Sequence, residues 1–262
     1  MTLTIVILTH NSEETIKQAL KSSLFANEII VIDDNSTDLT LKIIEKITLK
    51  NSKITTYNHF LHNNFAAQRN WAMSKTNGKW IFFLDADEVI NKKLQNEITK
   101  VTNEVATETQ GFFVNRTDHI FKQQLKHGET SNIKLLRLAK KGSGTWNYSV
   151  HENWEIKGEI KELKNRLTHI RNITIAEFLK RIDWYSTIKS EELYKNKTKE
   201  SKIRLVTNPI GKFLANYIFK RGFLDGFPGL CMALMMSWHS LLVRVKLQIL
   251  WLNNGKSTFK LK

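Results

Sequence analysis

Three acids crowd the end of an apolar run in WIFFLDADE, residues 80–88: Asp85, Asp87 and Glu88. The residues before them, Trp80 to Leu84, read as a strand buried on both faces. In extended backbone, residues i and i+2 face the same way, so Asp85 and Asp87 can reach one point. Like charges brought together in a dry cleft repel one another. A divalent cation removes that cost, and carboxylate oxygens suit Mg²⁺ or Mn²⁺. Such a cation takes few protein ligands and fills the rest of its shell with water and phosphate oxygens. The acids could instead cap a helix starting near Asn91, but a cap rarely needs three. The expectation is a metal pair, Asp85 and Asp87, beside a phosphate-bearing ligand.

Two other apolar runs end in polar groups. TLTIVILT (2–9) leads to Thr9, His10 and Asn11, and EIIVID (28–33) ends at Asp33 and Asp34. Ligands of open α/β sheets bind beyond the carboxyl ends of the strands. Thr9, Asn11, Asp33 and Asp34 therefore join Asp85, Ala86 and Asp87 as candidates around one cleft. An acid there can accept from a nucleobase N–H or from ribose hydroxyls. DNSTD (34–38) can equally be a turn with a purely structural role.

The elements that must position these residues emerge from periodicity. After the first strand, Asn11 or Ser12 can cap a helix carrying Ile16, Ala19 and Leu20. After the second, Leu39, Ile43 and Ile47 mark another helix. ITTYNH (54–59) is a third strand, and a short helix near 65–75 leads to Gly78 and the fourth strand. Strands alternating with helices at this spacing predict an α/β sandwich around a mostly parallel sheet. Beyond Asp87 the rhythm changes. Leu94, Ile98, Val101 and Val105 suggest a helix, and GFFVNR (111–116), KLLRLAK (134–140) and ENWEIKG (152–158) are strands without long helices between them. From about residue 173 the pattern is helical.

The chain has 262 residues, 41% of them hydrophobic, enough for a substantial core. A single cysteine, Cys231, excludes an internal disulfide and a cysteine-cluster metal site. The apolar start lacks the features of a signal peptide, so a cytoplasmic protein is expected. The net charge of +15 is unevenly spread. Residues 1–100 hold twelve Lys/Arg against eleven Asp/Glu, whereas residues 201–262 hold ten Lys/Arg against one acid, Asp225. Pro228 to Val243 carries no fixed charge, and Lys212, Lys220, Arg221, Arg244 and Lys246 bracket it. An apolar helix between bases suits a segment lying on an anionic membrane surface, and a buried core or dimer helix is the other reading. A basic third could also hold nucleic acid, but that leaves the acid clusters unexplained, and no nucleic acid partner is expected.

VIDDNSTD, FAAQRNWAMSKTNGKWIFFLDADE and THNSE together resemble the nucleotide-sugar glycosyltransferases of family 2, with the GT-A (Rossmann-like) fold. The resemblance implies a mostly parallel mixed sheet sandwiched by helices, with a helical C-terminal extension. It implies that the DAD triplet Asp85–Ala86–Asp87 holds a divalent cation against the donor diphosphate, that Asp33 contacts the donor base with Asp34 beside it, and that Arg69 lies near the donor phosphates. NWEIKG preceded by Val150–His151–Glu152, and RGFLDGFPGL at 221–230, look like a subgroup that adds sugars to lipopolysaccharide core, including its β-1,4-glucosyltransferases. Likeness to that subgroup implies transfer of a hexose, glucose from UDP-glucose, to a lipopolysaccharide core or related glycolipid. Thr130 to Lys134 departs from the subgroup's pattern, which leaves a protein, a capsule precursor or a polyprenyl-linked glycan as alternative acceptors. A catalytic domain is expected over 1–172, with a nucleotide-sugar half to about 90 and an acceptor half beyond it. A membrane-surface region is expected over 173–262, on the inner face of the cytoplasmic membrane.

An inverting transfer needs a base for the acceptor hydroxyl proton and neutralisation of the leaving diphosphate. Glu152, in the HEN triplet, is the candidate base, with His151 as its competitor or as a further metal ligand. Trp146 and Trp154 can stack on sugar faces or be core. His119, His127, His169 and His239 show no metal-binding spacing and read as structural.

Overall fold

A computed structural model of the chain describes residues 2–259 except 63, 105–107, 122, 130, 132, 149–151, 172–173, 200 and 257–258. Its elements, in chain order, are β1 (Leu3–Thr9), α1 (Ile16–Ser23), β2 (Glu28–Asp33), α2 (Thr40–Thr48), β3 (Ile54–Asn58), α3 (Phe65–Lys75), β4 (Trp80–Asp85), β5 (Glu88–Val89), α4 (Lys92–Asn103), β6 (Thr109–Ile120) and β7 (Gln123–Gln124). There follow β8 (Ile133–Lys140), β9 (Gly144–Asn147), β10 (Asn153–Ile156), β11 (Glu159–Glu162), β12 (Leu167–Arg171), α5 (Ile175–Lys195), α6 (Arg204–Leu214) and α7 (Gly226–Leu252). A π-helical turn (Ala215–Phe219) and a 3₁₀ turn (Gly222–Asp225) join α6 to α7. The chain divides into two compact units, Met1–His119 with Asn132–Arg171, and Ile120–Ser131 with Asn172–Lys262.

In the first unit the strands run in the order β3-β2-β1-β4-β8-β6-β12-β5, with β11 beside β6. β3, β2, β1 and β4 are parallel, and β8 reverses the direction against β4. The central strands are almost wholly apolar because both faces are covered, and the hydroxyl of Thr4 inside β1 is donated to Glu28. Ile5, Ile7, Ile29, Val31, Phe82 and Leu84 pack with α1, α2 and α4 residues such as Leu20, Ile44 and Leu94. Val6, Leu8, Ile30, Ile32, Ile81 and Phe83 face the other way, toward Ala66 and Ala72 of α3 and toward Trp146 and Trp154. This is the period-2 alternation of a strand. Parallel register aligns the strand ends: Thr9 pairs with Asp33, Asp33 with Asn58, and Leu8 with Asp85.

Two local expectations change. Helix α1 begins only at Ile16, with Thr15 at its cap position and no side-chain cap, because the side chain of Asn11 is engaged by Thr37 instead. Helix α4 is capped by Asn91, whose side chain accepts from Leu94 N at 3.0 Å, so Asp85, Asp87 and Glu88 are released from that duty. Trp146 and Trp154 are core residues, stacked with ring centroids 5.1 Å apart and each edge-on to Phe83 at 5.2 Å.

The second unit is helical. A capping box formed by Thr174 and Glu177 starts α5. Residues 120–131, expected in the catalytic region, belong here: Asp225 Oδ2 accepts from the backbone N–H of Lys126 at 3.0 Å and of His127 at 2.8 Å. Among the described residues, Gly222–Leu252 is the one helical stretch long and apolar enough to cross a membrane. Yet α7 packs against α5 and α6 and buries Met232, Ala233, Val243, Leu247 and Leu250. Lys246, also buried, donates to Asp183 Oδ1 at 2.7 Å, Ser186 Oγ at 2.9 Å and Thr187 Oγ1 at 2.7 Å, which bolts α7 to α5.

The β9–β10 hairpin carries both tryptophans and leads to Glu152. At the end away from the loop stands Gly144, where an added Cβ would collide with the carbonyl of Glu155 across the pair. Gly144→Ala should therefore cost about 1–3 kcal/mol, the usual penalty of overpacking. Chemical denaturation of the full chain measures it, and unchanged stability would mean that the hairpin is looser than this close approach requires.

Candidate active site

Arg69 and Asn70 show why adjacent residues of α3 matter. Asn70 clasps β9 through both of its amide atoms: Nδ2 donates to Trp146 O at 2.8 Å, and Oδ1 accepts from Trp146 N at 2.9 Å. That holds the Trp146 ring 4.7 Å from the Arg69 guanidinium, with Phe83 on the same group at 5.2 Å. A guanidinium held against aromatic faces keeps its charge at little cost. Arg69 is buried, and it reaches Asp85 Oδ1 at 3.0 Å and Glu152 Oε1 at 3.0 Å. Its Nη1 is buried without a hydrogen-bond partner.

From Asp85 the charges alternate in a continuous run. Asp85 Oδ2 meets Arg137 Nη2 at 2.6 Å, which also meets Glu88 Oε1 at 2.9 Å. Glu88 lies 3.6 Å from Arg116, and Arg116 Nε lies 2.8 Å from Asp118. Asp118 contacts His169 Nδ1 at 2.8 Å, and His169 Nε2 contacts Asp87 Oδ2 at 3.1 Å. Glu152 and Asp87 are thus the two ends of one chain of ion pairs, with Glu88, Asp118, Arg69, Arg137 and His169 buried along it.

This arrangement shifts the titrations. Burial opposes the charge of Asp85, but the charges and hydrogen bonds of Arg137 and Arg69 outweigh it and hold its carboxyl far below the usual range. Burial dominates at Glu88 and pushes it upward. Burial opposes a charged His169, but Asp87 and the hydrogen bond to Asp118 prevail, so its pKa is raised, and each ring nitrogen faces a carboxylate oxygen.

Other candidates serve loop structure. Asp33 is fully buried and accepts from Ser36 N at 2.9 Å and Ser36 Oγ at 2.6 Å, which is the turn role expected for DNSTD. Asp34 Oδ1 accepts from Leu61 N at 2.8 Å, tying the loops after β2 and β3 together. Asn11 donates from its backbone N–H to Ser36 Oγ at 2.9 Å and accepts from Thr37 N at 2.8 Å. Ala86 is buried, its N–H directed at Leu8 O at 3.2 Å. Thr9 is buried and its hydroxyl has no hydrogen-bond partner. The structure thus brings Asp85, Arg69 and Glu152 into direct contact and links Asp87 to them through the ion-pair chain. Asp33, Asp34, Thr9 and Asn11 line the neighbouring strand ends. His151 lies outside the described residues, as do Val105, Thr130 and Val150.

Among the described residues no three His, Cys, Asp or Glu side chains converge on one point. Asp85 and Asp87 are each about one-third exposed or less, at 33% and 28%. Asp85 gives both oxygens to Arg69 and Arg137, and Asp87 meets His169 through Oδ2, so a cation that binds one or two carboxylates and completes its shell with water and phosphate would have to share these acids with those partners.

The family model described as Glycosyl transferase family 2 matches residues 4–174, which span the whole ion-pair chain. The chain belongs to glycosyl transferase family 2. An uncharacterised glycosyltransferase of Rickettsia bellii is 27% identical over 96% of this family 2 chain and 88% of its own length. The lipopolysaccharide core biosynthesis glycosyltransferase LpsC of Rhizobium meliloti is 24% identical over 86% of this chain and 85% of its own. The solved structure of a Pyrobaculum calidifontis mannosyltransferase, in complex with GDP-Man and Mn²⁺, superposes with a TM-score of 0.54 at 12% identity, covering 94% of this chain and 86% of that one. That likeness supports the mixed, mostly parallel sheet flanked by helices for this family 2 member.

The raised pKa of His169 has a sign. The folded state holds that proton more tightly than the unfolded chain, so the stabilisation is complete below about pH 6.5 and fades as pH rises through the raised value. The Tm difference between wild type and His169→Gln should therefore shrink as pH climbs above about 6.5. A difference independent of pH would mean that His169 is not charged in the folded protein.

Proposed function

We propose that the protein transfers a hexose, glucose from UDP-glucose, with inversion, to a lipopolysaccharide core or related glycolipid at the inner face of the cytoplasmic membrane. The observation that carries this reading is the contact of Arg69 with both Asp85 and Glu152 at the carboxyl end of a parallel sheet. There a donor diphosphate and an acceptor hydroxyl would meet. The name of the Rhizobium relative supports the acceptor class.

Asp87 and Asp85 would hold Mg²⁺ or Mn²⁺, and a bound cation would supply neutralisation of the leaving diphosphate. The remaining work falls to side chains. Arg69 presents a guanidinium, including the unpartnered Nη1, to the donor phosphates. As those phosphates draw Arg69, its hold on Glu152 loosens, and the carboxylate turns to the acceptor hydroxyl. Glu152 takes the hydroxyl proton while the acceptor oxygen forms the new bond to the anomeric carbon. The bond from that carbon to the phosphate oxygen breaks, and the nucleoside diphosphate leaves with the electron pair. Thr9, Asn11, Asp33 and Asp34 shape the nucleoside end of the cleft.

A screen of UDP-, GDP- and dTDP-sugars for metal-dependent thermal stabilisation and turnover tests the donor class. Glu152→Gln should lower kcat by about 10²–10⁴ while donor affinity stays within a few-fold. Asp87→Asn should abolish the gain in donor affinity on adding Mn²⁺. Wild-type kcat in Glu152→Gln would place the base elsewhere, and undiminished metal dependence in Asp87→Asn would remove Asp87 as a ligand.

A further inference from the structure

Residues 203–227 expose a concentrated apolar surface. Ile203, Val206, Ile210, Leu214 and Ile218 recur three to four residues apart along α6 and the π-helical turn, and all five are exposed. Phe219, Phe223, Leu224 and Phe227 carry the surface on into α7, with Phe219 at 80% and Phe227 at 68% exposure. The turn that presents them is tightly built. A Cβ at Gly229 would collide with the Gly222 carbonyl, and Gly222, Asp225, Pro228 and Gly229 are buried while the aromatic side chains point out. Apolar side chains held outward by an ordered turn are a binding surface, since a soluble chain gains nothing by exposing them together.

Charge says what covers it. Lys202, Arg204, Lys220 and Arg221 are exposed beside the apolar residues. Asp225, the one acid of residues 201–262, is buried, its Oδ1 against His127 Nδ1 at 2.8 Å. The surface therefore presents apolar side chains and positive charge with no compensating acid of its own segment. A second copy of the chain would bring like charges together. An anionic lipid surface offers acyl chains to the first and phosphates to the second.

We propose that the ridge formed by α6 and the 218–227 turn is the element that enters an anionic bilayer surface, with Phe219, Phe223 and Phe227 in the interfacial layer and Lys202, Arg204, Lys220 and Arg221 on lipid phosphates. The more apolar α7 backs this ridge. The proposal deepens the membrane part of the proposed function, and the transfer chemistry is assayed separately from it.

The test is cosedimentation of the full chain with vesicles of phosphatidylglycerol and phosphatidylcholine, and of phosphatidylcholine alone. Wild type should favour the anionic vesicles by at least about tenfold. The triple variant Phe219→Ser, Phe223→Ser, Phe227→Ser should partition at least about thirtyfold more weakly. Its Tm and its metal-dependent donor hydrolysis in solution should match wild type. Lys220→Gln with Arg221→Gln should erode the preference for anionic lipid while leaving the fold alone. Wild-type partitioning by the triple variant would overturn the proposal. So would a wild-type dimer in sedimentation velocity that the triple variant dissolves, since the ridge would then be a subunit interface. Loss of donor hydrolysis in the wild type would instead strike at the transfer reading and leave the vesicle result standing.

Discussion

The catalytic unit depends on one alternating row of charges, Glu152–Arg69–Asp85–Arg137–Glu88–Arg116–Asp118–His169–Asp87. Five carboxylates gathered so closely could not all remain ionised in a largely buried site without the cations between them. Each cation is shared by two acids, so removal of any one leaves two negative groups facing each other. Along it five carboxylates alternate with three arginines and one histidine. The row also fixes positions: Asp85 is gripped through both oxygens, and among the described residues Asp87 and Glu152 are its terminal members.

The apolar framework exists to hold that row. Strands β1, β2 and β4 are sealed on both faces, and polar side chains gather where the seal ends at Thr9, Asp33 and Asp85. The Asn70 clasp holds Trp146, stacked on Trp154, against the Arg69 guanidinium. Strands β6, β8 and β12 then bring Arg116, Asp118, Arg137 and His169 in from the antiparallel side of the sheet. The parallel half thus ends in Asp85, and the antiparallel half provides the charges that pair with it.

Much of this is legible in the sequence where the signal is local. The abrupt change from WIFFL to DADE marks a strand end, and so do Asp33 and Thr9. Parallel register then puts them on one rim. For Asp33 the structure displays the turn. The charge row is less legible because its links join residues far apart in the chain, such as Arg137 with Asp85 and Asp118 with His169. A signal exists for Arg137, a lone charge among Leu136, Leu138 and Ala139, all buried. Arg116 and Asp118 stand two apart on one strand face, which likewise hints at a shared partner. Nothing local distinguishes His169, whose spacing reads as structural. The apolar C-terminal run points to α7 as the exposed helix. Composition cannot tell which of two packed helices turns outward, and α6 with its following turn carries most of the exposed apolar side chains.

The most direct test is a crystal structure with Mn²⁺ and a sugar nucleotide, using anomalous scattering to locate the metal. The account predicts an anomalous peak on Asp87 beside the diphosphate, with Arg137 still paired to Asp85 and Glu88 and with Arg69 turned from Glu152 toward phosphate. A nucleotide bound without metal density at Asp87, or with the Asp85–Arg137 pair broken, would contradict it.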